Sequence, residues 1–186
     1  MISRRILIAL AVMPLAACAS GPDLSNMPED PFGASPYQLA TGDRLRVIVF
    51  GQDSLSNVYA VDGAGRISMP LIGAVDVAGK TTQQLERAVE AKLRAGYLRE
   101  PKVSIDIDTY RPFFILGEVT QSGQFPYVNG MTVQTAAAIA GGFTPRAQRN
   151  WAEVTRMVDG QLMSAQVPIH FRVRPGDTVV IKERWF

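Results

Sequence analysis

The residues with the clearest chemical potential stand near the start of the chain. Leu15-Ala16-Ala17-Cys18 places one large aliphatic and two small residues before the only thiol in the sequence. Small side chains fit a peptidase cleft, and a thiol just after the scissile bond can accept a diacylglyceryl group. The flanks agree. Arg4 and Arg5 supply positive charge, and Ile6 to Leu15 is an apolar run interrupted only by Pro14. As a helix that run reaches about 15 Å, half of the ~30 Å hydrocarbon core of a bilayer. It has the proportions of a secretory signal peptide and is too short to span. The alternative is an ordinary signal peptide with a chance cysteine, but position and flanks favour the lipid acceptor. Cleavage is therefore expected between Ala17 and Cys18. Residues 1–17 form the signal peptide, and Cys18 carries the lipid. Each acyl methylene buried contributes ~0.8 kcal/mol, so two or more chains anchor a protein stably. Ala19, where an Asp signals inner-membrane retention in most bacterial envelopes, points to the outer membrane, with the protein facing the periplasm.

The other candidates for chemistry are weaker. One cysteine allows no intrachain disulfide, and His170 is the only histidine. No Cys, His and carboxylate set has the spacing of a metal site, so no metal or cofactor is expected. Asp106 and Asp108 share one face of a strand pattern, with no nucleophile or base near them in sequence, and read as a solvated face. Ser54, Ser56 and Ser68 lack the His and Asp context of a nucleophilic serine. The glycine clusters lack the strand–Gly-x-Gly-x-x-Gly–helix setting that holds phosphates. Nineteen Lys and Arg, less Arg4 and Arg5, leaves 17 basic against 17 acidic residues. With no basic cluster, nucleic acid is not an expected partner. Tyr110, Phe113 and Phe114 are either core residues or sugar-stacking platforms. Trp185 and Phe186 either pack on the core or dock the chain end on a partner or membrane interface. No catalytic group is expected.

The composition of the whole sequence, 47% apolar and 19% charged, supports a folded body. Residues 18–36, with Pro22, Pro28 and Pro31, read as a lipidated, flexible tether. Residues 37–109 read as a small α+β unit. Thr41-Gly42-Asp43 is a turn, followed by a strand over Arg44 to Phe50. Leu45, Val47 and Val49 lie on one face of that strand, and Ile48 and Phe50 on the other, as if both were covered. A strand over Val58 to Val61, a hairpin turn at Asp62-Gly63-Ala64-Gly65, a return through Arg66 to Pro70 and a strand over Ala74 to Val77 follow. Thr81 caps a helix, with Gln84 as its reciprocal partner. Leu85, Ala88, Val89 and Leu93 line its apolar face, and Gly96 ends it. Val103, Ile105 and Ile107 then alternate with polar residues on a half-exposed strand.

Residues 110–186 read as a second unit. Phe113 to Val119 is a strand, and Phe125 to Val128 returns. Thr132 starts a short helix that presents Val133, Ala136, Ala137 and Ala140, and Gly141-Gly142 stops it. Asp159-Gly160 joins a hairpin between Trp151–Val158 and Gln161–Val167. Pro175-Gly176-Asp177 suits a type II turn before a final strand over Thr178 to Lys182. Strand, strand, short helix, hairpin, strand is the outline of a β-grasp fold. The Gly-Asp turns at Gly42-Asp43 and Gly176-Asp177 read as one local solution used twice.

Taken together, these residues resemble the polysaccharide biosynthesis/export family, the outer-membrane lipoproteins of the Wza type. In the first unit the resemblance rests on Gly42-Asp43, Asp62-Gly63, Pro70-Leu71-Ile72-Gly73, Gly79, Thr81 and Pro101 with Val103. In the second it rests on Leu116-Gly117-Glu118-Val119, Gly123, Ala140-Gly141-Gly142-Phe143 and Pro175-Gly176-Asp177. The resemblance implies an α+β architecture: a polysaccharide-export domain followed by a β-grasp, soluble-ligand-binding domain. It also implies ring oligomers that pass capsular polysaccharide or exopolysaccharide across the periplasm, with an inner-membrane polysaccharide co-polymerase as partner. Better-known members continue into an amphipathic helix that forms a pore. This sequence stops at Phe186, and only helices or closed barrels cross lipid. The expectation is a short form served by a separate outer-membrane β-barrel. The competing reading is a monomeric envelope lipoprotein that binds a soluble glycan or peptidoglycan fragment.

Overall fold

A computed structural model of the chain describes residues 30–33 and 35–185. The signal peptide, the cleavage and lipidation positions Ala17 and Cys18, the tether up to residue 29 and Phe186 lie outside the described residues. The first module runs Arg44–Val49 (β1), Asn57–Ala60 (β2), Arg66–Met69 (β3), Gly73–Asp76 (β4), Thr82–Arg94 (α1) and Val103–Thr109 (β5). The second runs Phe113–Gly117 (β6), Gly123–Phe125 (β7), Val133–Ile139 (α2), Trp151–Val158 (β8), Gln161–Pro168 (β9) and Thr178–Ile181 (β10). The class is α+β, as expected from the sequence.

In the first module β1 sits between β2 and β5, antiparallel to both, and β3 and β4 form a separate hairpin. Alternation along β1 sends Leu45, Val47 and Val49 into a core with Ile67, Val75, Leu85, Val89 and Leu93. Helix α1 forms where Thr81 accepts the Gln84 amide and the Gln84 side chain accepts the Thr81 amide, the reciprocal box read from the sequence. Two expectations are corrected. Only one face of β1 is covered: Ile48 is 47% and Phe50 82% exposed, because α1 and the β3–β4 hairpin share the Leu45 side. Asp62–Gly65 is a turn, but not between partners in one sheet. The Asp62 amide donates to the Arg66 carbonyl at 2.8 Å, after which β3 departs to pair with β4. Of the glycines in that turn, Gly65 takes positive φ and Gly63 does not.

The second module is a mixed five-stranded sheet in the order β7-β6-β10-β8-β9, with β6 and β10 parallel at its centre. Helix α2 contributes Val133, Ala136 and Ala137 to a core with Phe113, Ile115, Val154 and Val179. Gly117 sits where β6 passes β10. A Cβ there would lie 2.1 Å from the Ile181 carbonyl oxygen, so the position admits only glycine. The return strand is Gly123–Phe125 and shares only Phe125 with the expected Phe125 to Val128. It ends at Phe125 because Pro126 has no N–H to extend the ladder. Asp159 (φ 48°) and Gly160 (φ 79°) make the tight turn between β8 and β9.

Phe32, within the span expected as tether, is 4% exposed and belongs to the core of the second module. Its ring lies 5.9 Å from that of Phe171. An apolar ring in a polar, proline-punctuated stretch gains more by burial than the tether composition conveys. The described residues from 31 onward form one compact unit.

Candidate functional site between the modules

The two Gly-Asp turns have the same construction. In Ala40–Asp43 the Asp43 amide donates to the Ala40 carbonyl at 3.2 Å, and Asp43 Oδ2 accepts the Ala40 amide at 2.9 Å. In Arg174–Asp177 the corresponding distances are 3.1 and 2.7 Å. Gly42 and Gly176 stand at φ 93° and 85°, the left-handed corner that such turns require. Both carboxylates are buried, Asp43 at 0% and Asp177 at 1% exposure. A buried charge persists only when paired and hydrogen-bonded, and each acid is.

Asp177 is gripped by a two-pronged guanidinium: Arg156 Nε donates to Oδ1 at 2.9 Å and Nη2 to Oδ2 at 2.7 Å. Arg156 Nη2 also reaches the Arg172 carbonyl at 3.1 Å, and the guanidinium carbon lies 4.5 Å from the Phe32 ring centre and 5.5 Å from that of Phe171. Asp43 accepts the Tyr37 hydroxyl at 2.7–2.8 Å on its two oxygens and the Arg111 amide at 2.9 Å. Arg111 Nη1 lies 3.5 Å from Asp43 Oδ2, while its Nε donates to the Pro175 carbonyl at 3.1 Å. One side chain therefore joins the turn of the first module to that of the second. Burial pushes the Tyr37 phenol far above its ordinary value; the Arg111 charge opposes this and the Asp43 charge adds to it. Tyr37, Tyr110 and Tyr127 stack edge to face in series, each step 5.3 Å.

A cleft of about 460 Å³ opens over this junction, walled by the 35–41 segment, the β8–β9 turn and Arg174–Asp177. Asp43 and Asp177 at the junction beneath it are committed to donors, so neither is placed to move a proton. What it presents is hydrogen-bonding backbone and side chains around a rigid ionic floor. Among the described residues no group of three or more His, Cys, Asp or Glu could hold a metal ion.

Gly42, Asp43, Pro175, Gly176 and Asp177 thus come together at one junction. Asp62 and Gly63 do not: the Asp62 carboxylate caps its own turn by accepting the Ala64 and Arg66 amides. Gly141 and Gly142 close α2, and their carbonyls accept the Thr120 hydroxyl. Phe113 is core, Phe114 faces outward at 41%, Tyr110 belongs to the tyrosine series, and Trp185 is 94% exposed rather than packed. His170 is exposed. Asp108 pairs with Arg46, whose hydrogen bond lowers its pKa. Tyr37, Arg111 and Arg156 were not singled out from sequence. Arg156 had a signal: it follows Ala152 and Val154 at inward positions of its strand, where a charge needs a buried partner.

The family described as polysaccharide biosynthesis/export protein matches residues 33–108, the first module, and the SLBB domain family matches residues 112–165. The chain belongs to the polysaccharide biosynthesis/export family. It is 30% identical over 139 residues to the exopolysaccharide production protein ExoF of Rhizobium meliloti (strain 1021), covering 68% of this chain and 31% of that protein. It is 25% identical over 186 residues to the EPS I polysaccharide export outer membrane protein EpsA of Ralstonia nicotianae, covering 81% of this chain and 48% of EpsA. The polysialic acid transport protein KpsD of Escherichia coli is 28% identical over 111 residues, or 59% of this chain and 20% of KpsD. The chain thus spans between a fifth and a half of the length of these relatives. No helix among the described residues is long and apolar enough to cross a membrane.

Proposed function

We propose that this protein is a non-catalytic component of capsular polysaccharide or exopolysaccharide export. It faces the periplasm, is held to the outer membrane by lipid on Cys18, and forms or adapts an oligomeric conduit for the glycan. The observation that carries the reading is the tandem match of an export module and an SLBB module to two cores riveted by Arg111. The names of the relatives, which concern exopolysaccharide production and polysaccharide export, point the same way. So does the chemistry of the junction, whose carboxylates are bound into structure rather than free for bond-making. A passing glycan needs many weak polar contacts, since one tight site would stall it. In this reading the partners are the glycan, further copies, an inner-membrane co-polymerase and an outer-membrane β-barrel.

The test is a deletion strain. Surface polysaccharide should fall to background while its precursors accumulate inside the cell, and Cys18→Ala should release the protein from the outer-membrane fraction. Normal secretion in the deletion strain would overturn the reading and favour the monomeric binder of a soluble glycan.

A further inference from the structure

Strand edges expose unpaired amides, and folded proteins usually cover them. This chain covers most of its edges by identifiable means. The outward amides of Val103 and Ile105 on β5 donate to Glu90 Oε1 at 3.0 Å and Glu86 Oε1 at 2.9 Å, both carried by α1. On β4 the Ala74 carbonyl accepts Lys92 Nζ at 2.5 Å. On β2 the Val58 amide donates to the Asn57 side chain at 2.7 Å. The β7 edge offers little beyond Gln124 before Pro126 removes the next donor.

The exception is β9. The Ile169 amide donates to the Asn150 carbonyl at 3.2 Å, and pairing runs without a shift from Trp151↔Pro168 to Val158↔Gln161. Antiparallel ladders alternate, so Gln161, Met163, Ala165 and Val167 bond to β8, while Leu162, Ser164 and Gln166 aim N–H and C=O outward. No hydrogen bond among the described residues engages those backbone groups. The strand carries no charged side chain, and Leu162 and Met163 are 71% and 42% exposed. It thus lacks the charge, proline and covering side chains that discourage pairing until Pro168.

We infer that β9 is a docking edge, and that its occupant is β9 of a second copy, antiparallel and centred on Ser164. The edge is self-complementary. Pairing Ser164 with Ser164 of the second copy sets Leu162 opposite Gln166 in both directions. Roughly six inter-chain backbone bonds form, and no like charges meet. Met163 falls opposite Ala165, so both exposed apolar side chains gain a cross-strand neighbour. No other edge in the described residues offers three consecutive outward positions, so a second copy has no comparable surface with which to meet this one. A two-fold contact cannot close a ring by itself. The pairing is therefore separate from ring-closing contacts and independent of the glycan proposal.

Two measurements on the full chain in mild detergent test it. In the H-bonded register the two Ser164 Cα atoms stand about 5.5 Å apart, within disulfide reach. Ser164→Cys should give an oxidised dimer joined through that position, and Gln161→Cys should not. Separately, Ser164→Lys and Ser164→Glu should each weaken pairwise association at least tenfold, and mixing the two should restore it as a Lys–Glu hetero-pair. Both variants leave the β8 ladder intact, because the Ser164 amide does not donate to β8; an unchanged circular dichroism spectrum checks this. Wild-type protein with no concentration-dependent pairing, or variants that lose pairing and do not regain it on mixing, would overturn the inference. The second result would set β9 against another surface of the second copy.

Discussion

Arg156 occupies an inward position of β8 that would otherwise continue the apolar sequence of Ala152 and Val154. It is retained there because Asp177, launched inward by its turn, meets it with both oxygens. Such a pair is strongly held once formed but costly to halve. Arg156→Ala leaves the Asp177 carboxylate buried without its counter-ion, and a loss of about 3–5 kcal/mol is expected; urea unfolding measures it. Asp43 meets the same problem with a neutral donor, Tyr37, beside the Arg111 guanidinium. The folded chain holds the Tyr37 proton above the value at which the unfolded chain releases it, about pH 10. The contribution is therefore present below pH 10 and lost as pH rises towards the folded value, because the unfolded state binds fewer protons there. Stability should fall on raising pH above about 10. Tyr37→Phe should make that fall shallower rather than remove it, since burial also raises Tyr59 and Tyr127. A pH series of melting temperatures reads the difference.

Among the elements, local signals with a stereochemical cause were the legible ones. Thr81 with Gln84, Asp159-Gly160 and Pro175-Gly176-Asp177 each name a specific backbone conformation, and each appears as read. Thr81→Ala should cost about 1 kcal/mol by freeing the Gln84 amide, seen as a lower denaturation midpoint at unchanged slope. The box at the head of α2 was less legible because Thr135 replaces the usual Glu or Gln as the reciprocal acceptor. What failed were statements that depend on partners distant in sequence. Asp62-Gly63-Ala64-Gly65 has the composition of a hairpin turn, yet whether flanking strands pair is decided by competing edges, and β4 wins β3. Ile48 and Phe50 carry no mark showing that their side of the sheet lacks a second layer. Sequence alone marks the turn acids as turn formers only, because their cationic partners stand 21 and 68 residues further along or back in the chain.

At the scale of the whole molecule, the modules are joined by few but directional interactions. Arg111 contributes its amide and guanidinium to Asp43 and its Nε to Pro175. Arg111→Ala keeps the amide bond and removes the bridge, so the modules should uncouple before either core melts. Calorimetry should then show a broadened or split transition where the wild type shows one. A larger, single transition would contradict the bridge.

Phe32 gives the molecule an unusual load path. It precedes the first module in sequence but is seated in the second. Traction applied from the amino-terminal side therefore arrives first at the aromatic and guanidinium stack of Phe171 and Arg156, bypassing β1 altogether. The first module is slung between the Phe32 seat on one side and the Arg111 bridge with its tyrosine stack on the other, and is shielded from tension while that seat holds.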